Sequence, residues 1–172
     1  MSFLELAKRR YSARDYHAKA VEPEKIKKIL EAGRVAPTAC NNQPQRILVV
    51  QTPEGMAKIA KGYKDLHAPA ALIVCADHQD SWNRSYDGKD SADIDASIVT
   101  TQMMLCATEL GLDSVWICAF KPSIIREEFH IPENIEPINI LLLGYAKCEP
   151  KSPDRHSDFR KPLEETVVYE SF

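Results

Sequence analysis

Apolar positions along the chain follow two rhythms, and the switches between them mark the elements. Ser2-Phe3-Leu4-Glu5 is a capping box, in which the hydroxyl and the carboxylate each satisfy a free backbone N–H. A helix therefore starts at Ser2, with Phe3, Leu4 and Ala7 as its apolar side. A second helix has Pro23 in its first turn, where the missing N–H costs nothing, and Ile26, Ile29 and Leu30 at helical spacing. Pro37 marks its end. Arg46 to Gln51 reads as a buried strand, Thr52-Pro53-Glu54 caps a third helix, and Ala70 to Ala76 reads as a second strand. The longest helical stretch runs from Ser91 to Leu110, with Ile94, Ile98, Thr101, Leu105 and Ala107 among its apolar or small positions. Few charges interrupt its middle, and a helix apolar on several sides is buried on several sides. In a chain of 172 residues that points to a subunit interface. Ser114 to Phe120 and Ile138 to Ala146 are the last two strands, with a short helix between them. This ladder argues α/β or α+β with a central sheet. Lys147 to Lys161 is polar and punctuated by Pro150 and Pro153, so it reads as a loop or arm. Thr166-Val167-Val168-Tyr169 is β-prone and suits strand addition to another subunit's sheet.

Bulk properties narrow the function class. The length suits one domain, residues 1–172. A net charge of -3 gives no reason to expect nucleic acid or an anionic membrane as partner. No apolar run reaches the roughly 18 residues of a membrane span, and Met1 to Arg10 lacks a secretory pattern. Cys40, Cys75, Cys106, Cys118 and Cys148 are odd in number and contain no C-x-x-C pair. They read as reduced thiols of a cytoplasmic protein rather than a disulfide framework or a zinc site. His17, His67, His78, His130 and His156 lack metal-ligand spacing. Asp90, Asp93 and Asp95 read as helix-start acids rather than a metal loop. Neither G-x-G-x-x-G nor G-x-x-x-x-G-K-[ST] occurs, which sets aside the Rossmann and P-loop sites.

Three clusters carry possible chemistry. Lys8-Arg9-Arg10-Tyr11-Ser12-Ala13-Arg14 gathers cations and a hydroxyl just past a helix, donors that suit phosphate oxygens. Taken alone it reads first as a solvated basic helix end, which also complements the helix dipole. Ala36-Pro37-Thr38-Ala39-Cys40-Asn41-Asn42-Gln43-Pro44 is a polar loop whose amides both donate and accept, although Asn and Pro are turn formers in any case. Phe159-Arg160-Lys161-Pro162-Leu163 adds two cations far along the chain.

Together these clusters resemble the nitroreductase family at matching places and in the same order. The first is similar to its R-R/H-S-x-R/K signature, the second to its A-P-S-x-x-N-x-Q-P loop, and the third to its R-K-P-L-E-E tail. Glu109-Leu110-Gly111-Leu112-Asp113-Ser114-Val115-Trp116-Ile117 resembles the E-L-G-L-x-S-x-W-I segment. Leu142-Leu143-Gly144-Tyr145 resembles the L-x-x-G-Y/F strand end, so the likeness covers essentially the whole chain.

The resemblance implies an α+β fold, with a mixed central sheet flanked by helices, dimerised through the long helix and a C-terminal arm. It implies FMN in a cleft at the homodimer interface and NADH or NADPH as co-substrate. Arg10, Tyr11 and Ser12 would take phosphate and ribityl, with Arg14 nearer flavin N1 and O2, where a fixed cation stabilises the reduced ring. Lys64 would assist. Pro37, Thr38, Ala39, Asn41 and Gln43 would come from the partner subunit. Ile117, Cys118 and Ala119 would face N5 and O4 with backbone N–H groups, and Arg160 and Lys161 would close on the phosphate. The implied reaction is ping-pong hydride transfer through flavin N5 to nitroaromatics, quinones or similar electron-poor acceptors, with no catalytic side chain. The other class open to the sequence is a flavin-binding carrier or sensor without turnover. Three departures stand out. Tyr11 replaces Arg or His, Cys118 replaces Gly, and Gln45 replaces Trp. They bear on substrate preference more than on the cofactor. Cys40 and Cys118 are either redox thiols beside the flavin or small space-fillers. Trp82 and Tyr86 either lid the cleft or anchor their own loop.

Overall fold

A computed structural model describes residues 1–64 and 67–172. Its helices are α1 (Phe3–Arg9), α2 (Pro23–Arg34), α3 (Pro53–Gly62), α4 (Ala92–Glu109), α5 (Pro122–Phe129) and the short α6 (His156–Phe159). Its strands are β1 (Gln45–Val50), β2 (Ala70–Asp77), β3 (Asp113–Ile117) and β4 (Ile135–Gly144). As far as β4, the order of elements is the one the hydrophobic pattern predicts.

The helix ends are set by local chemistry. Ser2 and Glu5 close the expected capping box, at 3.2 Å and 2.6 Å. Thr52 caps α3 by accepting from the Gly55 N–H at 3.1 Å. At the end of α4, Gly111 takes φ +74, a left-handed value that a residue without Cβ adopts freely. The Leu112 N–H then reaches the Ala107 carbonyl at 2.9 Å and the Gly111 N–H reaches Thr108 at 3.1 Å. This paired arrangement satisfies carbonyls that the helix would otherwise leave free.

The sheet runs β1-β2-β4-β3, with each neighbouring pair antiparallel. Parallel pairing enters through an isolated bridge between Ser12 and Ser114. Side chains alternate across the central strands. Ala70, Leu72, Val74, Leu141 and Leu143 pack with Ile26, Ile29, Val99 and Met103 of α2 and α4. Ala71, Ile73, Cys75, Ile140 and Leu142 pack with Ile59 and Ile125 of α3 and α5 on the opposite face. Burying one such aliphatic side chain is worth about 1.5–3 kcal/mol, so β2 and β4 with both faces covered anchor the fold.

Three expectations change. β1 is an edge strand with alternating exposure rather than a buried one, and Leu48 faces outward. The arm after β4 contains a helical turn at Pro153–Arg155 that runs into α6, because Ser152 accepts from the Asp154 N–H at 3.1 Å and starts it. Residues 166–169 form no strand within the chain; a turn at Leu163–Glu165 precedes them, and Val168 and Tyr169 are exposed.

The faces of α4 differ sharply. Ala96, Val99, Met103 and Ala107 are buried against the sheet and α2. The opposite face lines a groove of about 910 Å³ with Ile94, Ile98, Thr101, Leu105, and Phe3 and Leu6 of α1. Within one chain, then, α4 is buried on one side and leaves an apolar side open. Among the described residues no helix is long and apolar enough to cross a membrane.

Candidate functional site

The basic segment after α1 is held extended. The Ala13 N–H donates to the Ser114 carbonyl at 3.0 Å, and the His17 N–H to the Tyr145 carbonyl at 2.8 Å. The Tyr16 hydroxyl donates back to the Ala13 carbonyl at 2.7 Å. Extended backbone sends successive side chains to opposite sides. Tyr11, Ala13 and Tyr16 are buried together, while Ser12 and Arg14 face out. Close packing fixes this path, since a Cβ on Gly144 would lie 2.9 Å from Tyr16 and 2.7 Å from Pro69.

Those outward side chains meet the C-terminal arm. Arg10, Tyr11, Ser12 and Arg14 line a pocket of about 490 Å³ with Lys151, Ser152, Arg155, His156, Phe159 and Arg160. Four guanidiniums, an ammonium and an imidazole thus converge with no carboxylate among the lining residues. Arg155 is committed to structure: its guanidinium donates to the carbonyls of Arg10 at 2.6 Å, Lys8 at 3.0 Å and Ser152 at 2.8 Å. His156 Nε2 also lies 3.2 Å from the Lys8 carbonyl. The arm is therefore clamped to the carboxyl end of α1, where cations are favoured by the helix dipole. Arg10 and Arg160 have no hydrogen-bond or ion-pair partner for their guanidiniums among the described residues. Burial, then Arg155, then Arg160 hold Arg10 below its usual value. A cation disfavoured by its own surroundings is complemented by an anion, and clustered guanidiniums with hydroxyls match a phosphate. Tyr11 contributes a wall rather than a charge: its phenol is pushed upward by burial and by Asp113, so it stays neutral.

The second cluster lies elsewhere in the chain. Pro37, Thr38, Ala39, Asn41 and Gln43 do not line the cationic pocket; their loop sits against the start of α4, where the Ala39 N–H donates to Asp95 at 2.8 Å. The loop is strained. Cys40, Asn41 and Gln43 have φ of 51, 56 and 54. It is closed by Thr38 Oγ1, which accepts from the Gln43 N–H at 3.0 Å.

The remaining expected residues divide. Ile117 ends β3 buried, and Cys118 and Ala119 follow it exposed. The Trp116 indole N–H donates to Cys118 Sγ at 3.1 Å, so that thiol already has a neighbour. Lys161 stands 4.0 Å from Glu165 in its own turn, outside the pocket lining. Lys64 is exposed in the bend after α3 and also outside the lining. Trp82 is partly covered and its backbone N–H donates to Ser91 Oγ, whereas Tyr86 is 94% exposed and its side chain has no bonded partner among the described residues. Sequence reasoning missed Lys151, Ser152, Arg155 and His156. The usable signal was Ser152-Pro153-Asp154, a helix-start pattern that folds the arm back at that point.

Comparison with known proteins shows which family the chain resembles along most of its length. The model of the nitroreductase family matches residues 7–67 and 60–145. A protein of Archaeoglobus fulgidus, provisionally named an NADH dehydrogenase/NAD(P)H nitroreductase, is 34% identical over 81% of this chain and 83% of its own length. The crystal structure of a nitroreductase family protein from Clostridium difficile 630 is 55% identical, covers 100% of both chains and superposes with a TM-score of 0.98. An FMN-dependent nitroreductase from Clostridium difficile R20291 is 27% identical, covers 99% of this chain and 100% of its own, and superposes at 0.79.

Proposed function

Since this chain belongs to the nitroreductase family, we propose that it is an FMN-dependent NAD(P)H oxidoreductase acting on nitroaromatics, quinones or similar electron-poor acceptors. The observation that carries the reading is the cationic pocket without a carboxylate. Its donors fit the FMN phosphate: Arg10 and Arg160 have guanidiniums without a partner among the described residues, and Ser12 and Ser152 have hydroxyls. Arg14 lies on the same outward side as Ser12, further along the extended segment, and is the cation assigned to the ring end. FMN held there would supply hydride chemistry between NAD(P)H and the acceptor, in ping-pong order. The protein's own part is orientation and electrostatics. Ile117, Cys118 and Ala119 offer backbone N–H groups at the end of β3.

The functional unit is a homodimer in this reading. The amide-bearing loop and the cationic pocket are separate within one chain, so a site using both needs a second copy. The open apolar face of α4 supports the same conclusion, because an apolar surface of this kind marks an interface. The exposed Val168, Tyr169 and Phe172 of the arm would find cover there too.

Steady-state oxidation of NADH and NADPH by the FMN-loaded protein, with a quinone and a nitroaromatic as acceptors, tests the activity. Sustained turnover with either acceptor is expected. Reduction of the flavin without reoxidation by any acceptor would instead favour a flavin carrier or sensor.

A further inference from the structure

We propose that Asp95 is a positioning residue for the cofactor, holding the amide-bearing loop in the backbone shape it presents to the flavin. The proposal rests on the flavin reading above. The sequence gives Asp95 the modest role of a helix-start acid. Asp93, in the same turn and exposed, already fills that role. Asp95 differs in being 1% exposed, and both its carboxylate oxygens are engaged.

Oδ1 accepts from the Ala39 N–H at 2.8 Å, across 56 positions of sequence. Oδ2 accepts from the Ser91 hydroxyl at 2.8 Å. Ser91 is itself buried, and its Oγ accepts from the Trp82 N–H at 3.2 Å. A continuous chain of donors and acceptors thus runs from the Trp82 loop through Ser91 and Asp95 to the first residue of the turn at Ala39–Asn41.

What that anchor holds is unusual. Immediately after Ala39, the residues Cys40, Asn41 and Gln43 are left-handed without being glycine. Such residues, with right-handed Asn42 between them, hold this backbone only where the surroundings over-determine it. Thr38 Oγ1 fixes the far end through the Gln43 N–H at 3.0 Å, and Gln43 Nε2 donates to the Asn41 carbonyl at 3.1 Å. Asp95 fixes the near end, and it is the one contact of the loop with the rigid α4 given by these bonds. With Asp95 in place, the Asn41 and Gln43 amides have a defined direction. Without it the loop relaxes toward ordinary backbone and the amides turn away. A buried carboxylate replaced by an apolar group also strands the Ala39 N–H and the Ser91 hydroxyl.

The test compares Asp95→Ala, Asp95→Asn and Ala39→Pro. Asparagine keeps an acceptor for Ala39 and turns its amide N–H toward Ser91, whose hydroxyl oxygen can accept. Proline at Ala39 deletes the donor without opening the core; Thr38 before it is already extended, with φ -131 and ψ 159, as proline requires. Each apoprotein is titrated with FMN, and amide hydrogen exchange is read on the peptide spanning residues 37–43. Asp95→Ala and Ala39→Pro are expected to weaken FMN binding about tenfold or more, the scale of one hydrogen bond to a charged group. Exchange in the loop accelerates in both, and the visible flavin bands of the reloaded protein shift. Asp95→Asn stays within about threefold of the parent on the same scale. If Asp95→Ala does not fold, Ala39→Pro and Asp95→Asn decide. Parental FMN affinity and parental exchange in a folded Asp95→Ala or in Ala39→Pro would overturn the proposal. A parent apoprotein that takes up no FMN would overturn the flavin reading, and the exchange data would still report whether Asp95 shapes the loop.

Discussion

The extended segment Arg10–Arg14 and the loop Ala39–Gln43 depart from ordinary folding rules in opposite ways. The first has relaxed backbone stitched to β3, but it leaves guanidiniums clustered without acids. The second bonds the N–H groups of Ala39, Asn41, Asn42 and Gln43, but it holds non-glycine residues in left-handed backbone. One region stores its departure in charge and the other in dihedral angles. The core between them, β2 and β4 with α2 and α4, shows neither. Local inconsistency of this kind gathers where a protein does something other than fold.

The comparison can be broken most severely at the open face of α4. Ile94 is 48% exposed in the single chain, so Ile94→Lys should leave a monomeric fold unharmed. If the face is a subunit interface, the substitution gives a monomer by sedimentation velocity and reduces FMN affinity by about a hundredfold or more, since an unpaired charge is buried. An unchanged sedimentation profile with full FMN binding would separate the loop from the pocket's ligand.

Arg10→Gln comes next. Loss of a charge-assisted contact to phosphate should weaken FMN binding by about ten- to a hundredfold. The melting temperature of the apoprotein should hold or rise, because burial and two like charges disfavour the cation there. A fall in apoprotein melting temperature would mean that Arg10 serves the fold. Gln43→Gly reads the strained loop the same way. Releasing a left-handed side chain gains roughly 1–2 kcal/mol, and glycine's extra freedom in the unfolded chain offsets about half of it. Apoprotein stability by urea unfolding should rise by roughly 0.5–1 kcal/mol while FMN affinity drops, since the amide is gone.

The smallest effect falls on the Asp77–Asp90 loop. His78 lies 2.8 Å from both Asp90 and Glu136, and hydrogen bonds to these two carboxylates raise its pKa above the ordinary 6.5. The imidazolium is favoured by folding. Its contribution is full below the unfolded value and is lost as pH rises through the folded one. The difference in unfolding free energy between parent and His78→Gln should therefore be largest below pH 6.5 and shrink as pH rises through the raised folded-state value, staying within about 1 kcal/mol for so exposed a group. A difference that grows with pH would reverse the assignment.

Much of this was legible in the residues. The capping box at Ser2, the Thr52 cap and the periodicity of α4 are short-range signals, and they gave the element order. The β1 edge was not legible, since an apolar run does not state how many neighbours it will have. Arg10 and Ser12 suited phosphate oxygens by residue type, though a solvated helix end suited them too, and Arg14 at the ring and Arg160 at the phosphate were assigned only through the family resemblance. Arg155 was not legible, because it acts on carbonyls roughly 145 residues away. Asp95 was hidden for the same reason: an acid in a first helical turn has a sufficient local explanation. Asn41 admits left-handed backbone, but nothing about Cys40 announces it.

The central claim is that the cationic pocket holds a phosphorylated flavin. The most direct measurement is a fluorescence titration of the apoprotein with FMN and, separately, with riboflavin, which lacks the phosphate. The account predicts about one FMN per chain, riboflavin weaker by about a hundredfold or more, and FMN displaced by rising salt. Equal affinity for the two flavins, or no binding of either, would contradict it.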